Sequence, residues 1–222
     1  MGGIVVFGAG GRAGRAVTAE ARARGHEVTA VVRDTGRHAG IAADGVQVAG
    51  GDITDPAAVA AAGRGRLAAV HAVSPFTGPE QGFADLDPDF FVKAADALLL
   101  GLAETGVARL VVVGLFANLR TRDGGLVMDD PAAFPPRIRP FAAAHQAGLD
   151  RLRAAQTSLD WLVLTPPALL TADAPRTGRY RIGGETVPDA GPAHLSYADL
   201  AVAALDEIEA PRHHRTRVSV LD

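Results

Sequence analysis

A short apolar run, "IVVF", starts at the fourth residue and passes directly into "GAGGRAG". So many small residues together neither continue a strand nor support a helix interior, so they mark a tight turn between the two. Residues 12–24 follow with Ala13, Ala16, Val17 and Ala21 at roughly helical spacing, and Gly25 stands where such a helix would end. The chain thus opens with strand, glycine turn and helix, the first half of a βαβ unit. Such a turn presents backbone N–H groups at a helix N-terminus, where the macrodipole favours an anion and missing side chains let a pyrophosphate approach. The glycines can be spaced as Gly8-Ala9-Gly10 or as Gly8, Gly11 and Gly14. The wider spacing is preferred, with Gly10 and Ala13 as further turn residues and Arg12 as a phosphate ligand.

Along the rest of the chain, Val-, Ile- and Leu-rich runs alternate with Ala/Arg segments of helical character, the pattern of a buried parallel sheet. Strands are expected at 4–7, 27–32, 46–49, 68–73, 109–113 and 161–164, and helices at 12–24, 89–106 and 141–156. A further helix starts after "GDITDP", with Thr54 or Asp55 as N-cap and Pro56 at its first position. Residues 117–140 carry Gly124-Gly125, Asp130-Pro131 and Pro135-Pro136, which a long helix cannot hold, and read as an excursion over a site. "GRYRIGGETVP" reads as a hairpin about Gly183-Gly184, Ser196 and Asp199 have capping-box spacing, and 217–221 reads as a closing strand. The expected fold is α/β, a Rossmann-type doubly wound parallel sheet with small C-terminal segments on the substrate side. Residues 1–222 are expected to form a single NAD(P)-binding domain.

Composition narrows the partners. A net charge of −3 offers no basic excess for a phosphate backbone, so no nucleic acid is expected. Absence of cysteine excludes disulfides and thiolate chemistry, and the chain enters a strand with no leader-like segment, which points to the cytoplasm. No apolar run approaches the roughly 20 residues that span a bilayer, so no membrane is expected. His213-His214 lacks nearby acidic or cysteine co-ligands and reads as a solvated loop, leaving no metal site. The partner is a small-molecule substrate, and the chain is a monomer or a homodimer.

The second strand ends in "AVVRD". An acidic residue there would bond the ribose 2′-OH of NAD, whereas arginine accommodates the 2′-phosphate of NADP. Arg33 and Arg12 make NADP(H) the preferred cofactor, while Asp34, about 20 residues past the last glycine, keeps NAD(H) open. Arg33 has a second reading as a solvated surface charge.

The stretches "VVFGAGGRAG", "GHEVTAVVRD", "GDITDP", "RLVVVG", "LDWLVLTPPAL", "RTGRYRIGGE" and "LSYADLAVAALDEIEAP" run in one order through nearly the whole chain. In them the chain resembles the atypical short-chain dehydrogenase/reductase proteins of the NmrA-like, NAD(P)H-binding type, and within these the small proteins labelled NAD(P)H–flavin reductases. The resemblance implies that Gly8, Gly11, Arg12 and Ala13 hold the phosphates, that Arg33 holds the ribose phosphate, and that Asp52 and Ile53 flank the adenine. It implies Val73, Ser74 and Pro75 beside the nicotinamide ribose, and Gly114, Leu115, Thr165 and Pro166 near the ring. Gly10 departs from the family's usual threonine.

A second departure concerns chemistry. Many extended relatives carry a serine at the end of the fifth strand and a Tyr-x-x-x-Lys on the next helix; here the comparable positions hold Gly114, Phe141 and His145. Position 184, four after Tyr180, is glycine, position 201, four after Tyr197, is alanine, and Lys93 is the sole lysine. The phenol–ammonium pair that protonates an alkoxide is therefore missing. Hydride transfer to a flavin, a substrate that is its own electron sink, demands less of the protein. His145 is the candidate catalytic acid or base, or else a structural histidine. His71 reads as a packed core residue and Ser74 as a cofactor contact. Phe76, Phe116 and Tyr180 could face a planar substrate, with core packing the equal alternative for the two phenylalanines. Two other functions fit the same residues: a non-catalytic NADP(H)-sensing regulator, and a biosynthetic tailoring reductase or isomerase.

Overall fold

The computed structural model describes residues 2–76, 86–188 and 193–222. In chain order the elements are β1 (Gly3–Phe7), α1 (Arg12–Ala23), β2 (Glu27–Val32), β3 (Val46–Gly50), α2 (Pro56–Gly63), β4 (Ala68–His71), α3 (Phe90–Ala103) and β5 (Arg109–Val113). Then come α4 (Arg139–Ala154), β6 (Asp160–Thr165), β7 (Leu169–Thr171), β8 (Arg181–Ile182), β9 (His194–Ser196), α5 (Tyr197–Glu209) and β10 (Thr216–Leu221). The main sheet has the order β3-β2-β1-β4-β5-β6-β10-β8, all parallel except the edge strand β8, and β7 and β9 form a small separate parallel pair. This is a Rossmann-like α/β fold, with the strand order reversing between β1 and β4.

Side-chain alternation along the strands divides the core between two faces. Ile4 and Val6 of β1 join a buried cluster with Val17 and Ala21 of α1 and Leu200 and Leu205 of α5. Val5 and Phe7 point the other way, into a cluster with Val59 of α2, Leu98 and Leu102 of α3 and Leu149 of α4. Central strands buried on both faces explain why their sequences are continuous apolar runs.

The amino ends of β5 and β6 are tied by ions. Arg109, 5% exposed, reaches Asp160 at 2.7 Å and Glu207 of α5 at 3.0 Å. His213 and His214 bond Glu207 and Asp160 at 2.7 and 2.8 Å, so the histidine pair expected in a solvated loop is tied to this cluster. Asp55 is the N-cap of α2, accepting from the Ala57 amide. Helix α4 starts two residues before the expected 141, because Pro140 fits a first turn that needs no amide hydrogen there. Strand β4 stops at His71, two residues short of the expected 73, where the Val73 amide turns back to His71 Nδ1.

The expected hairpin is a correction. Arg181–Ile182 pairs antiparallel with Leu221 and Val220 of β10, and Glu185 and Val187 exchange backbone bonds with Arg120. The glycine pair thus carries one edge strand from β10 across to the excursion rather than folding it on itself. Residues 117–140 are built from three single turns of 3-10 helix, at Phe116–Asn118, Val127–Asp129 and Pro136–Ile138, around a small core of Ala117, Met128 and Ala142.

Candidate functional site

The glycine turn lies at the carboxyl end of β1, beside the point where the strand order reverses. Gly8 has φ +83°, and a Cβ there would meet the Ala72 carbonyl and Val73 nitrogen at 2.7 Å, so both conformation and space require glycine. A Cβ at Gly14 would strike the Gly8 carbonyl, which fixes α1 close against β1. Gly11 differs: its φ is −80°, and the nearest protein atom to a Cβ would be 3.4 Å away. It is the N-cap of α1, no side chain caps it, and the first turn carries no acid. Among the described residues no side chain caps the positive end of α1, and Gly11 is the glycine of the turn whose missing side chain the fold does not need, which fits a pyrophosphate cradle. Arg12 is exposed, its guanidinium 5.8 Å from the centre of the Tyr197 ring, and Ala13 is half-buried behind it.

At the end of β2, Arg33 and Asp34 are both exposed. The Asp34 carboxylate accepts the Arg37 amide at 3.1 Å and so shapes its own loop. Asp52, after β3, accepts from the amide and hydroxyl of Thr54 at 2.9 and 2.8 Å. These bonds, with the Arg33 charge nearby, hold its carboxyl below the usual range. Ile53 is 4% exposed and belongs to the core on the α2 and α3 face. Gly10 has a reason in this chain: a Cβ there would lie 2.6 Å from His38 Nε2, so the imidazole occupies the space a threonine would fill.

The ends of β4, β5 and β6 come together farther along the same edge. Val73 packs on the core, Ser74 is exposed with its hydroxyl accepting the Phe76 amide at 3.2 Å, and Pro75 is half-buried. Gly114 and Leu115 are half-buried, and Thr165 and Pro166 are buried. An aromatic wall rises beside them: Phe76 lies 6.0 Å from Phe141, and Phe91 lies 5.9 Å from Phe141 and 3.7 Å from the His145 ring. Between wall and strand ends is a cavity of about 30 Å³, lined among others by His71, Gly114, Asn118, His145, Thr165 and Arg217.

Burial pushes His71 down to about 4 and, with His71 adding to it, His145 down to about 3. Because His71 Nδ1 accepts the Val73 amide, the neutral ring carries its proton on Nε2. His145 is likewise neutral at ordinary pH, and the burial that keeps it so also weakens it as a base, so its environment favours a packed or hydrogen-bonding ring over either expected proton-transfer role. Phe116 is half-buried just beyond Leu115. Tyr180 stands apart, on the opposite face of the sheet, packed on the α1 and α5 cluster with its hydroxyl donating to Asp206 at 2.6 Å. Burial and that carboxylate raise the phenol's pKa. The substrate-facing expectation for Tyr180 is therefore corrected.

A family model described as NAD(P)H-binding matches residues 8–211, nearly the whole chain. The chain belongs to that NAD(P)H-binding family. It is 31% identical over 224 residues to the uncharacterized protein YwnB of Bacillus subtilis (strain 168), covering 98% of this chain and 97% of that one. A crystal structure from Burkholderia pseudomallei, of a candidate exported protein, is similar with TM-score 0.83 and 36% identity, each chain fully covered. Another, of a Streptococcus pneumoniae TIGR4 protein described as a candidate NADH-flavin reductase, has TM-score 0.79 and 28% identity, again over the full length of both. For this NAD(P)H-binding protein the family indicates a nicotinamide cofactor. No helix among the described residues is long and apolar enough to cross a membrane, and no group of three or more potential metal ligands occurs among them.

Several residues of the site had no sequence signal. Tyr197 meets Arg12 from 185 positions away, and His38 meets Gly10 from 28. Arg217, on the closing strand, is 2% exposed and lines the cavity. An arginine in an apolar strand looks the same in sequence whether it faces solvent or a cavity.

Proposed function

We propose that this protein is an NADPH-preferring oxidoreductase that passes hydride to a flavin or another planar, conjugated acceptor. The observation that carries the reading is one continuous edge: an open, uncapped helix end at Gly11, Arg33 on one side of it, and strand ends that meet an aromatic wall on the other. Gly8, Gly10, Gly11, Arg12 and Ala13 would hold the pyrophosphate, and Arg33 the 2′-phosphate, because a guanidinium pairs with phosphate in a bidentate fork. Asp52 and Ile53 would flank the adenine, Val73, Ser74 and Pro75 the second ribose, and Gly114, Leu115, Thr165 and Pro166 the ring.

The nicotinamide supplies the hydride. The chain's residues bind and orient the two rings and exclude water, with Phe76 and Phe116 offered to the acceptor. This suits a chain with no Tyr-x-x-x-Lys, whose only histidines at the cavity are neutral. The same proposal takes residues 1–222 as one domain, since two cores share one sheet, as a monomer or homodimer, and places the protein in the cytoplasm.

Anaerobic mixing with NADPH and FMN tests it. Bleaching of the flavin with matching oxidation of NADPH is expected. Binding of NADP+ and NADPH with different affinities and no turnover across flavins and quinones would overturn the oxidoreductase reading in favour of a redox-sensing module.

A further inference from the structure

We propose that the cavity at the carboxyl ends of β4, β5 and β6, walled by Arg217 near the start of β10, is an oxyanion pocket, in which Arg217 and Thr165 take a carboxylate or the carbonyl oxygen of a conjugated acceptor. Arg217 is the only charged side chain in the cavity wall among the described residues. Its guanidinium donates to the Asn118 carbonyl and, at 3.2 Å, to Glu185, while its Nε–H is buried with no acceptor. Glu185 is no private counterion, for Arg153 lies at 2.5 Å and Arg120 at 4.0 Å from the same carboxylate. Three guanidiniums share one acid, and the deepest of them faces the cavity.

Thr165 is fully buried, and its hydroxyl also has no partner. Gly114 gives that hydroxyl its room, since a Cβ there would lie 2.6 Å from Thr165 Oγ1. Orphaned buried donors destabilise a fold, and valine and a straight apolar chain would fill the same space without them. A ligand oxygen removes the penalty. The cavity's 30 Å³ is about the room of two waters, enough for a carboxylate or carbonyl head but not for a ring, which would stay outside against Phe76 and Phe141.

The catalytic half of the proposal rests on the hydride-transfer reading. Hydride adds to the conjugated carbon, a C–H bond forms, the π electrons move to the carbonyl oxygen, and Arg217 Nε–H and the Thr165 hydroxyl hold the resulting enolate until it takes a proton from water. The acceptor is reduced and the nicotinamide oxidised by the same two electrons. The anion-binding half needs no turnover.

Benzoate and benzamide, titrated into NADP+-saturated protein and followed through the imidazole NMR signals of His71 and His145, provide the test. Benzoate is expected to shift both rings and to bind at least tenfold tighter than benzamide. Thr165→Val should lose about tenfold in benzoate affinity while its Tm stays equal or rises, and Arg217→Lys should lose at least as much. Equal binding of the two probes, or a Thr165→Val protein that binds benzoate as the wild type does, would overturn the pocket. A protein that discriminates between the probes but reduces no flavin or quinone keeps the pocket and loses the functional reading; flavin reduction without discrimination does the reverse.

Discussion

At Gly8 the backbone has φ +83° and no room for a Cβ, whereas at Gly11 φ is −80° and the nearest protein atom would be 3.4 Å away. Gly8→Ala is expected to cost about 2 kcal/mol or more in urea unfolding, from the left-handed conformation and the clash together. Gly11→Ser should leave stability within about 0.5 kcal/mol, because serine is a good N-cap at these dihedrals. Its hydroxyl would occupy the helix end, and NADPH affinity measured by calorimetry should fall at least tenfold. Arg33→Ala should weaken NADPH about tenfold, the loss of one charge-assisted contact, and leave NADH within twofold; equal losses for both would remove Arg33 from the 2′-phosphate. The glycine motif was legible in the sequence because turn, helix start and anion site demand the same residue type at fixed spacing. His38 and Tyr197 were not, since their roles depend on loops brought together from distant positions.

Strands and helices with a strong period were readable, and β1, β2 and β5 lie where the apolar runs put them. The exception, residues 178–188, shows the limit. An alternating pattern about Gly183-Gly184 states that a strand is present but not which neighbour it pairs with, and here β10 and Arg120 compete successfully with the local hairpin. What holds this edge in place is Glu185, bonded to Arg153 and Arg217. Glu185→Gln should therefore lower stability by roughly 2 kcal/mol, because it leaves buried Arg217 without its carboxylate. A urea midpoint unchanged from the wild type would show that the strand is held by its backbone bonds alone.

Taken whole, the molecule has an ion cluster at the amino ends of β5 and β6 and, where β4, β5 and β6 end, a cavity with bare polar groups in its wall. Arg109, Asp160, Glu207, His213 and His214 bond one another at the first; the Thr165 hydroxyl and Arg217 Nε–H have no partner at the second. Ligands of open parallel sheets bind outside the carboxyl ends of the strands, which makes the second the binding end. The buried histidines make stability pH-dependent in a defined window. His71 titrates at about 4 in the fold and near 6.5 unfolded, so the unfolded chain binds more protons between these values. Its contribution is complete above pH 6.5 and is lost as pH falls towards 4, up to about 3 kcal/mol. Glu20, held down to about 2 by Arg176 and Arg24, adds its own loss as pH falls from 4.5 towards 2. His71→Asn should flatten the slope of unfolding free energy between pH 6.5 and 4 by about half, His145 supplying the remainder.

A crystal structure with NADP+ bound bears on all of this at once. The pyrophosphate is expected on the amides at Gly11 to Ala13, the 2′-phosphate within reach of Arg33, and the nicotinamide beside Gly114 and Thr165 at the mouth of the cavity. A dinucleotide bound elsewhere, or one whose nicotinamide lies away from Gly114 and Thr165, would contradict it.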